Sequence, residues 1–299
     1  MYIKLQKSNS NIMKNLIIDG NNLVHRAYWV ANNRPNMNHL SIVLNAVKSY
    51  VEKFNPTSVY CAWDMRESSE KALRKQDNTD YKQTRDNDYN AQVHKLTYVI
   101  EFLFDSLGIL NMYPHRGEAD DIMFWLAKNL EGENVLITAD TDLLQVINET
   151  NTVFSPIKKI LFDVDMMIEK YGMHPDKYCE YKCITGDKAD NIAGIPGFGN
   201  KRSLSVIKGD IKLNEEQQKI VDVNMSLINL DNTGKEDWDA EYSFYSKQLE
   251  EEWPTADFNR FKTICEKFNI SSILKQEDKW RDVFFLKGTL NNMLERLFA

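Results

Sequence analysis

"KNLIIDG" (Lys14–Gly20) is a short apolar run that stops at Asp-Gly. A continuous apolar run bounded by a turn signal reads as a strand buried on both faces, the kind that parallel sheets use. "SVYCAWD" (Ser58–Asp64) and "NVLITAD" (Asn134–Asp140) repeat the pattern and end on an aspartate, and "GILNMYP" (Gly108–Pro114) is a fourth candidate. Helical periodicity fills the intervals in "LSIVLNAVKSYVEKF" (Leu40–Phe54), "VHKLTYVIEFLFDSLG" (Val93–Gly108) and "EADDIMFWLAKNL" (Glu118–Leu130). Strands alternating with helices predict an α/β fold with a mainly parallel sheet. After about Asp163 the chain reads as mostly helical, with "RFKTICEKFNISSIL" (Arg260–Leu274) a further amphipathic helix.

The strand ends carry the chemistry. Asp19, Asp64 and Asp140 each close an expected strand, where ligands of open α/β sheets bind. Asp142 follows Asp140 by two positions, so both side chains point one way if the chain is still extended there. "GEADD" (Gly117–Asp121) packs Glu118, Asp120 and Asp121 together with nothing positive beside them. Glu118 and Asp121 are i,i+3 on an expected helix, and Asp187 and Asp190 of "TGDKADNI" (Thr185–Ile192) have the same spacing. Surface acids would explain one such pair but not five acidic elements, and no EF-hand loop occurs. Oxygen donors without His or Cys select hard ions, Mg²⁺ or Mn²⁺. Two ions about 3.5–4 Å apart hydrolyse phosphodiesters, one activating the water and the other stabilising the leaving oxygen.

Composition is compatible with that reading. The chain has 299 residues and a net charge of −7, which by itself argues against a nucleic-acid partner. Setting the nine clustered acids aside leaves 35 acidic residues against 37 Lys and Arg. An acidic centre in an otherwise slightly basic protein fits. No apolar run approaches a membrane span, and the polar N-terminal residues are unlike a signal peptide. Cys61, Cys179, Cys183 and Cys265 are too sparse for a disulfide scaffold and lack the partners of a zinc site, so they read as buried thiols of a cytosolic chain.

Basic elements flank the acids. "GIPGFGNKRS" (Gly194–Ser203) sets Gly197 and Gly199 before Lys201 and Arg202. Glycine permits close backbone approach to phosphate, and the helix N-terminus that follows offers free N–H groups. This is the pattern of a helix-hairpin-helix that grips a DNA backbone without reading sequence. Residues 66–90 have no apolar stripe and carry Arg66, Lys71, Arg74, Lys75, Lys82 and Arg85, a candidate phosphate-contacting loop. Arg26, on the first helix, is placed to bind a phosphate near the first ion, with His25 and Tyr28 as stacking surfaces.

Taken in order, "IIDGNNLVHRAY", "AWD", "GEADD", "TADTDLLQ", "TGDKADNIAGIPGFGNKRS" and "RFKTICEKFNISSIL" resemble the 5′-nuclease, or flap endonuclease, family across about residues 14–275. The family includes the 5′-nuclease domain of bacterial DNA polymerase I and stand-alone bacteriophage 5′-3′ exonucleases. The resemblance implies a PIN-like core with a helical arch and a helix-three-turn-helix motif. It implies hydrolysis of branched DNA and of duplex 5′ ends, leaving a 5′-phosphate. By motif, Asp19, Asp64, Glu118 and Asp120 match the first metal cluster, with Asp121 beside it, and Asp140, Asp142, Asp187 and Asp190 match the second. "DYKQTR" makes Lys82 and Arg85 the cations on the scissile phosphate, and Arg66 and Arg74 resemble arch-base DNA contacts. Gly197 and Gly199 resemble the backbone site of a potassium-assisted duplex grip. His25 stands where relatives often carry Tyr or Phe, which implies weaker stacking on a terminal base.

The expected organisation is an N-terminal extension (1–13), an α/β nuclease core (14–163) with the arch at 66–90, and a helical DNA-binding region (164–299) with the hairpin at 185–208. The implied cofactors are two or three Mg²⁺ or Mn²⁺ ions and a K⁺ at the hairpin. The implied partners are 5′ flaps, junctions and duplex 5′ ends, RNA primers in hybrids, and replication proteins. The setting is the cytoplasm of a bacterium or phage-infected host, and the chain is expected to be a monomer that meets no membrane. The rival readings are a PIN-type ribonuclease or RNase H-like activity, and a non-catalytic branched-DNA binding protein. The acidic 210–257 segment carries no motif.

Overall fold

In the computed structural model, which describes residues 13–33, 37–65, 87–251 and 253–286, the chain begins β1 (Lys14–Asp19), α1 (Gly20–Asn32), α2 (His39–Phe54) and β2 (Ser58–Ala62). It continues α3 (Asn87–Ser106), β3 (Leu110–Met112), α4 (Ala119–Asn129), β4 (Glu133–Ile137), a 3₁₀ turn (Asp142–Val146), β5 (Asn151–Ser155) and β6 (Ile160–Phe162). Then follow α5 (Val164–Tyr171), α6 (Tyr178–Thr185), the hairpin β7 (Gly186–Asp187) and β8 (Ile192–Ala193), and α7 (Asn200–Ile207). The described residues end in α8 (Glu215–Ile228), α9 (Glu236–Glu250), α10 (Phe258–Lys267), two short helices, Ser271–Leu274 and Glu277–Trp280, and a last helical segment, Arg281–Leu286. Arg66, Lys71, Arg74, Lys75, Lys82 and Arg85 lie outside the described residues. Residues 87–90, the end of the expected arch, already belong to α3.

Six strands form one sheet in the order β3-β2-β1-β4-β5-β6, with every pair parallel except β5–β6. The mainly parallel α/β sheet read from the sequence is therefore present. β1 is its axis. Leu16 and Ile18 face a layer that includes Val24, Val47 and Phe104, whereas Ile17 faces the opposite layer with Ile122 and Leu136. Alternation along a strand produces this division, and each fully buried side chain of this size contributes roughly 1.5–3 kcal/mol. At the start of the strands, the buried amides of Asn15, Asn134 and Asn151 bond in series at 2.8 Å, crossing β1, β4 and β5. A ladder satisfied in one alignment only ties the three strands to a single register.

Four strands were not legible. β5 and β6 carry too weak a signal in "NTVFS" and "ILF", and the short hairpin β7–β8 interrupts the region expected to be helical. The expected helix over 260–274 divides between α10 and the short helix that follows, because Asn269 takes a left-handed φ of 54° that a helix cannot carry.

Candidate metal centre

β1 lies between β2 and β4, and the chain leaves it toward α1 and α2 on one face while α4 covers the other. Such a reversal opens a crevice at the strand C-termini. Asp19 closes β1 and is 7% exposed. Its Oδ1 caps α1 by accepting from Asn22 N (2.8 Å), and its Oδ2 accepts from Thr138 Oγ1 (2.7 Å). The same Thr138 hydroxyl accepts from Asp140 N (3.0 Å), so one threonine joins the ends of β1 and β4. Asp64 Oδ1 accepts from Ala119 N (3.0 Å), which fastens the end of β2 to the first turn of α4, where Glu118 and Asp120 stand half-buried. Asn21 Oδ1 holds Asp64 from behind through its backbone N–H (2.9 Å).

The second group forms by a different route from the one the spacing suggested. β4 ends at Ile137, and the chain is already turning at Asp142, whose N–H donates to Asp140 Oδ1 (2.8 Å). Asp140 and Asp142 are thus joined by a turn and not by an extended strand. Asp187 and Asp190 are not on a helix either. Asp187 closes β7 and Asp190 lies in the β7–β8 turn, in a hairpin that begins where Gly186 adopts φ 74° and packs so tightly that a Cβ would lie 2.3 Å from Gly194 N. Asp142, Asp187 and Asp190 bring one carboxylate oxygen each within 4.8 Å of one another. Lys182, near the end of α6 and 7% exposed, places its ammonium between Asp142 and Asp187. Among the described residues, Lys182 is therefore a counterion to the second group of acids. Three carboxylates gathered this closely, with donors that are all oxygen, fit a hard divalent ion, and Lys182 offsets their repulsion in its absence.

The electrostatics follow from depth. Burial pushes the Asp19 carboxyl up to about 7, with the charges of Asp64 and Asp140 adding to the rise. Asp142 is pushed up to about 6, again by burial first, despite Lys182. Burial also works against Asp187, but it is more exposed, and the hydrogen bond and charge of Lys182 outweigh that loss and hold it below its ordinary value. Lys182 is held above its usual range because its two acidic partners more than offset its own burial.

A stability prediction results. A carboxyl whose folded pKa is raised stabilises the fold below its unfolded pKa and loses that contribution as pH rises through the folded value. Asp19, moving from 3.8 to about 7, is then worth on the order of 4 kcal/mol between those limits. The metal-free protein should lose stability from about pH 4 to pH 7 through Asp19 and Asp142. Asp19→Asn should raise the metal-free Tm at pH 7.5 and flatten its pH profile. An unchanged Tm in that variant would refute the burial of a raised carboxyl here.

Other expected residues are placed separately. Asp121 is buried, and its Oδ2 accepts from Glu118 N (2.9 Å), so one of its oxygens serves the α4 terminus. Arg26 Nη1 rests 3.4 Å from the Tyr50 hydroxyl, and Tyr28 lies against the His39 ring. The glycine turn joins the acidic hairpin through Ile195 N–H to Ile184 O (2.9 Å), which couples the two. Lys201 and Arg202 are exposed at the start of α7, with the Arg202 guanidinium 4.2 Å over the Phe198 ring. Gly197 has φ 78°, whereas Gly199 O already accepts from Arg202 N (3.0 Å) and Ser203 N (3.1 Å). Cys179 and Cys183 approach Met225 Sδ at 3.6 and 4.0 Å, and no Cys or His stands in the acidic cluster among the described residues. Thr138, Asn21 and Lys182 were not anticipated. None of the three leaves a periodic signal in the sequence.

A parallel sheet with an acid-lined mouth at its point of reversal defines an α/β protein built to hold divalent cations. Residues 14–172, more than half of the 299, match the model of the 5′-3′ exonuclease N-terminal, resolvase-like domain, and the chain belongs to this family. It is 26% identical to a 5′-3′ exonuclease of Aquifex aeolicus, covering 89% of this chain and 96% of that one. It is 28% identical to DNA polymerase I of Caldicellulosiruptor bescii over 89% of this chain, and spans 34% of that polymerase. Among solved structures, a bacteriophage T5 flap endonuclease complexed with DNA and metal ions aligns at a TM-score of 0.62, with 18% identity, over 80% of this chain and all of its own. At that identity the likeness is one of fold.

Proposed function

We propose that the chain is a structure-specific 5′-nuclease that hydrolyses DNA at flaps, junctions and duplex 5′ ends. The observation that carries the proposal is the convergence of Asp19, Asp64 and Asp140 with the Asp142–Asp187–Asp190 cluster at one sheet mouth. Asp19, Asp64, Glu118 and Asp120 would hold the first ion, and Asp140, Asp142, Asp187 and Asp190 the second. When bound, Mg²⁺ or Mn²⁺ supplies Lewis acidity for water activation and for the charge on the scissile phosphate. The chain's own residues do the rest. Thr138 and Asn21 fix the carboxylates in place. Lys182 keeps the second cluster from repelling itself before the cation arrives. Lys82 and Arg85, assigned by the family resemblance, would offset charge on the phosphate, with Arg66 and Arg74 as arch-base DNA contacts and Arg26 binding a phosphate near the first ion.

Lys201 and Arg202 beside the glycine turn grip the duplex in this reading. A K⁺ would use carbonyls around Gly197 in preference to Gly199, whose oxygen is already engaged. Lys201→Ala with Arg202→Ala should weaken duplex binding about 10-fold at moderate salt and reduce the slope of log affinity against log salt by about 1–2. Intact binding with reduced turnover would reassign the hairpin. No helix among the described residues is long and apolar enough to cross a membrane. We place the protein in the cytoplasm of a bacterium or phage-infected cell, alongside replication proteins. Incubation with a 5′-flap duplex, a blunt duplex and an RNA/DNA hybrid, with and without Mg²⁺, tests the whole reading. Cleavage of the hybrid alone would favour a ribonuclease, and binding without cleavage a junction-binding protein.

A further inference from the structure

The acidic 210–257 segment, which carries no motif, contributes α9, and α9 is aimed at the loop between β3 and α4. Three of its side chains at i, i+4 and i+7 meet that loop. Gln248 pairs with both backbone groups of Tyr113, donating to its O (2.8 Å) and accepting from its N–H (2.9 Å). Glu241 is 2% exposed, and its carboxylate takes the next three available amides. Oε1 accepts from His115 N (2.8 Å) and Gly117 N (3.1 Å), and Oε2 accepts from Arg116 N (2.9 Å). Tyr245, fully buried, brings its hydroxyl to the same turn, where a Cβ on Gly117 would come within 2.6 Å of the oxygen. A side chain there would have to displace that hydroxyl, and the residue that follows is Glu118.

A buried carboxylate is costly unless hydrogen bonds offset its lost hydration. Here backbone amides do so, and among the described residues no Lys or Arg forms an ion pair with Glu241. An apolar side chain would fill the same space but could not hold three amides in a fixed curve. We infer that Glu241 is a positioning residue for the metal centre: by clamping residues 115–117 it sets where Glu118 and Asp120 stand. Asp121, on the far side of the turn, holds the Glu118 amide from within α4. The ligand-bearing residues are thus pinned before and behind. Groups that orient metal ligands without touching the ion commonly change its affinity 10–100-fold when removed, an order-of-magnitude range.

The inference rests on the metal reading of the site, and the experiment separates the two. The full chain is compared with Glu241→Ala and Glu241→Gln, the latter keeping volume and one acceptor oxygen should the smaller side chain cost the fold. Mn²⁺ binding without DNA is followed by electron paramagnetic resonance, and flap cleavage is measured across Mg²⁺ concentrations. Glu241→Ala should weaken Mn²⁺ binding by about 10-fold or more and raise the Mg²⁺ needed for half-maximal cleavage in proportion. Its KM for DNA should stay within about twofold of the parent. Glu241→Gln should show a smaller shift in the same direction. Phe261→Leu, in the opposite core layer, controls for lost stability and should leave the metal half-saturation unchanged. Parental Mn²⁺ affinity in both Glu241 variants, or reduced turnover at unchanged metal half-saturation, overturns the inference alone. A parent chain that binds no Mn²⁺ overturns the metal reading and the inference with it.

Discussion

Asp140→Asn should yield a folded protein that binds branched DNA and fails to cut it. Asp140 Oδ1 accepts from Asp142 N (2.8 Å), and an asparagine oxygen can accept the same bond, so the 3₁₀ turn and the second cluster keep their shape. What is lost is one negative charge beside Asp19 and Asp142, both of which feel it. A cation held by oxygen ligands depends on that charge, and its Lewis acidity is worth several kcal/mol of the barrier. Single-turnover cleavage of a 5′ flap should fall on the order of 10³-fold or more. DNA affinity measured in EDTA should change little. Turnover within about tenfold of the parent would remove Asp140 from the reaction.

Lys182→Met should produce the largest change in stability. The ammonium lies between Asp142 and Asp187 in a site where it is 7% exposed. Removing one member of a buried charge group leaves the others uncompensated and costs about 3–5 kcal/mol. In a chain of this length that is a Tm drop of roughly 5–10 °C without metal. The methionine stem preserves most of the packing, so the loss is electrostatic. Mg²⁺ should restore most of it, because a divalent cation replaces the missing charge in the same carboxylate set. The parent should gain less from Mg²⁺ than the variant. Equal Tm values for parent and variant in EDTA would show that Lys182 is not the counterion of the cluster.

The fold was legible where the sequence repeated one simple pattern. "KNLIIDG", "SVYCAWD" and "NVLITAD" are apolar because each strand is buried on both faces, and their shared terminal Asp marks the mouth of the sheet. β6 escaped notice because an edge strand needs less apolar surface, and β5 because polar residues interrupt the apolar ones in "NTVFS". The hairpin β7–β8 escaped because its shape depends on Gly186 meeting Gly194, a contact between residues eight apart. Residue type and spacing could also mislead. Asp187 and Asp190 share the i,i+3 interval of a helix yet converge across a turn.

By itself, the sequence determined the residue types that can hold a hard cation, their order along the chain, and the α/β class, because these depend on local pattern and on donor chemistry. Tertiary structure alone decided which groups hold the acids in place. Thr138 joins β1 to β4, Lys182 answers Asp142 and Asp187 from α6, and Glu241 reaches the turn before Glu118 from 124 residues away in sequence for its Gly117 bond. None of these pairings leaves a periodic mark, because a hydrogen bond between distant segments constrains one atom on each and nothing in between.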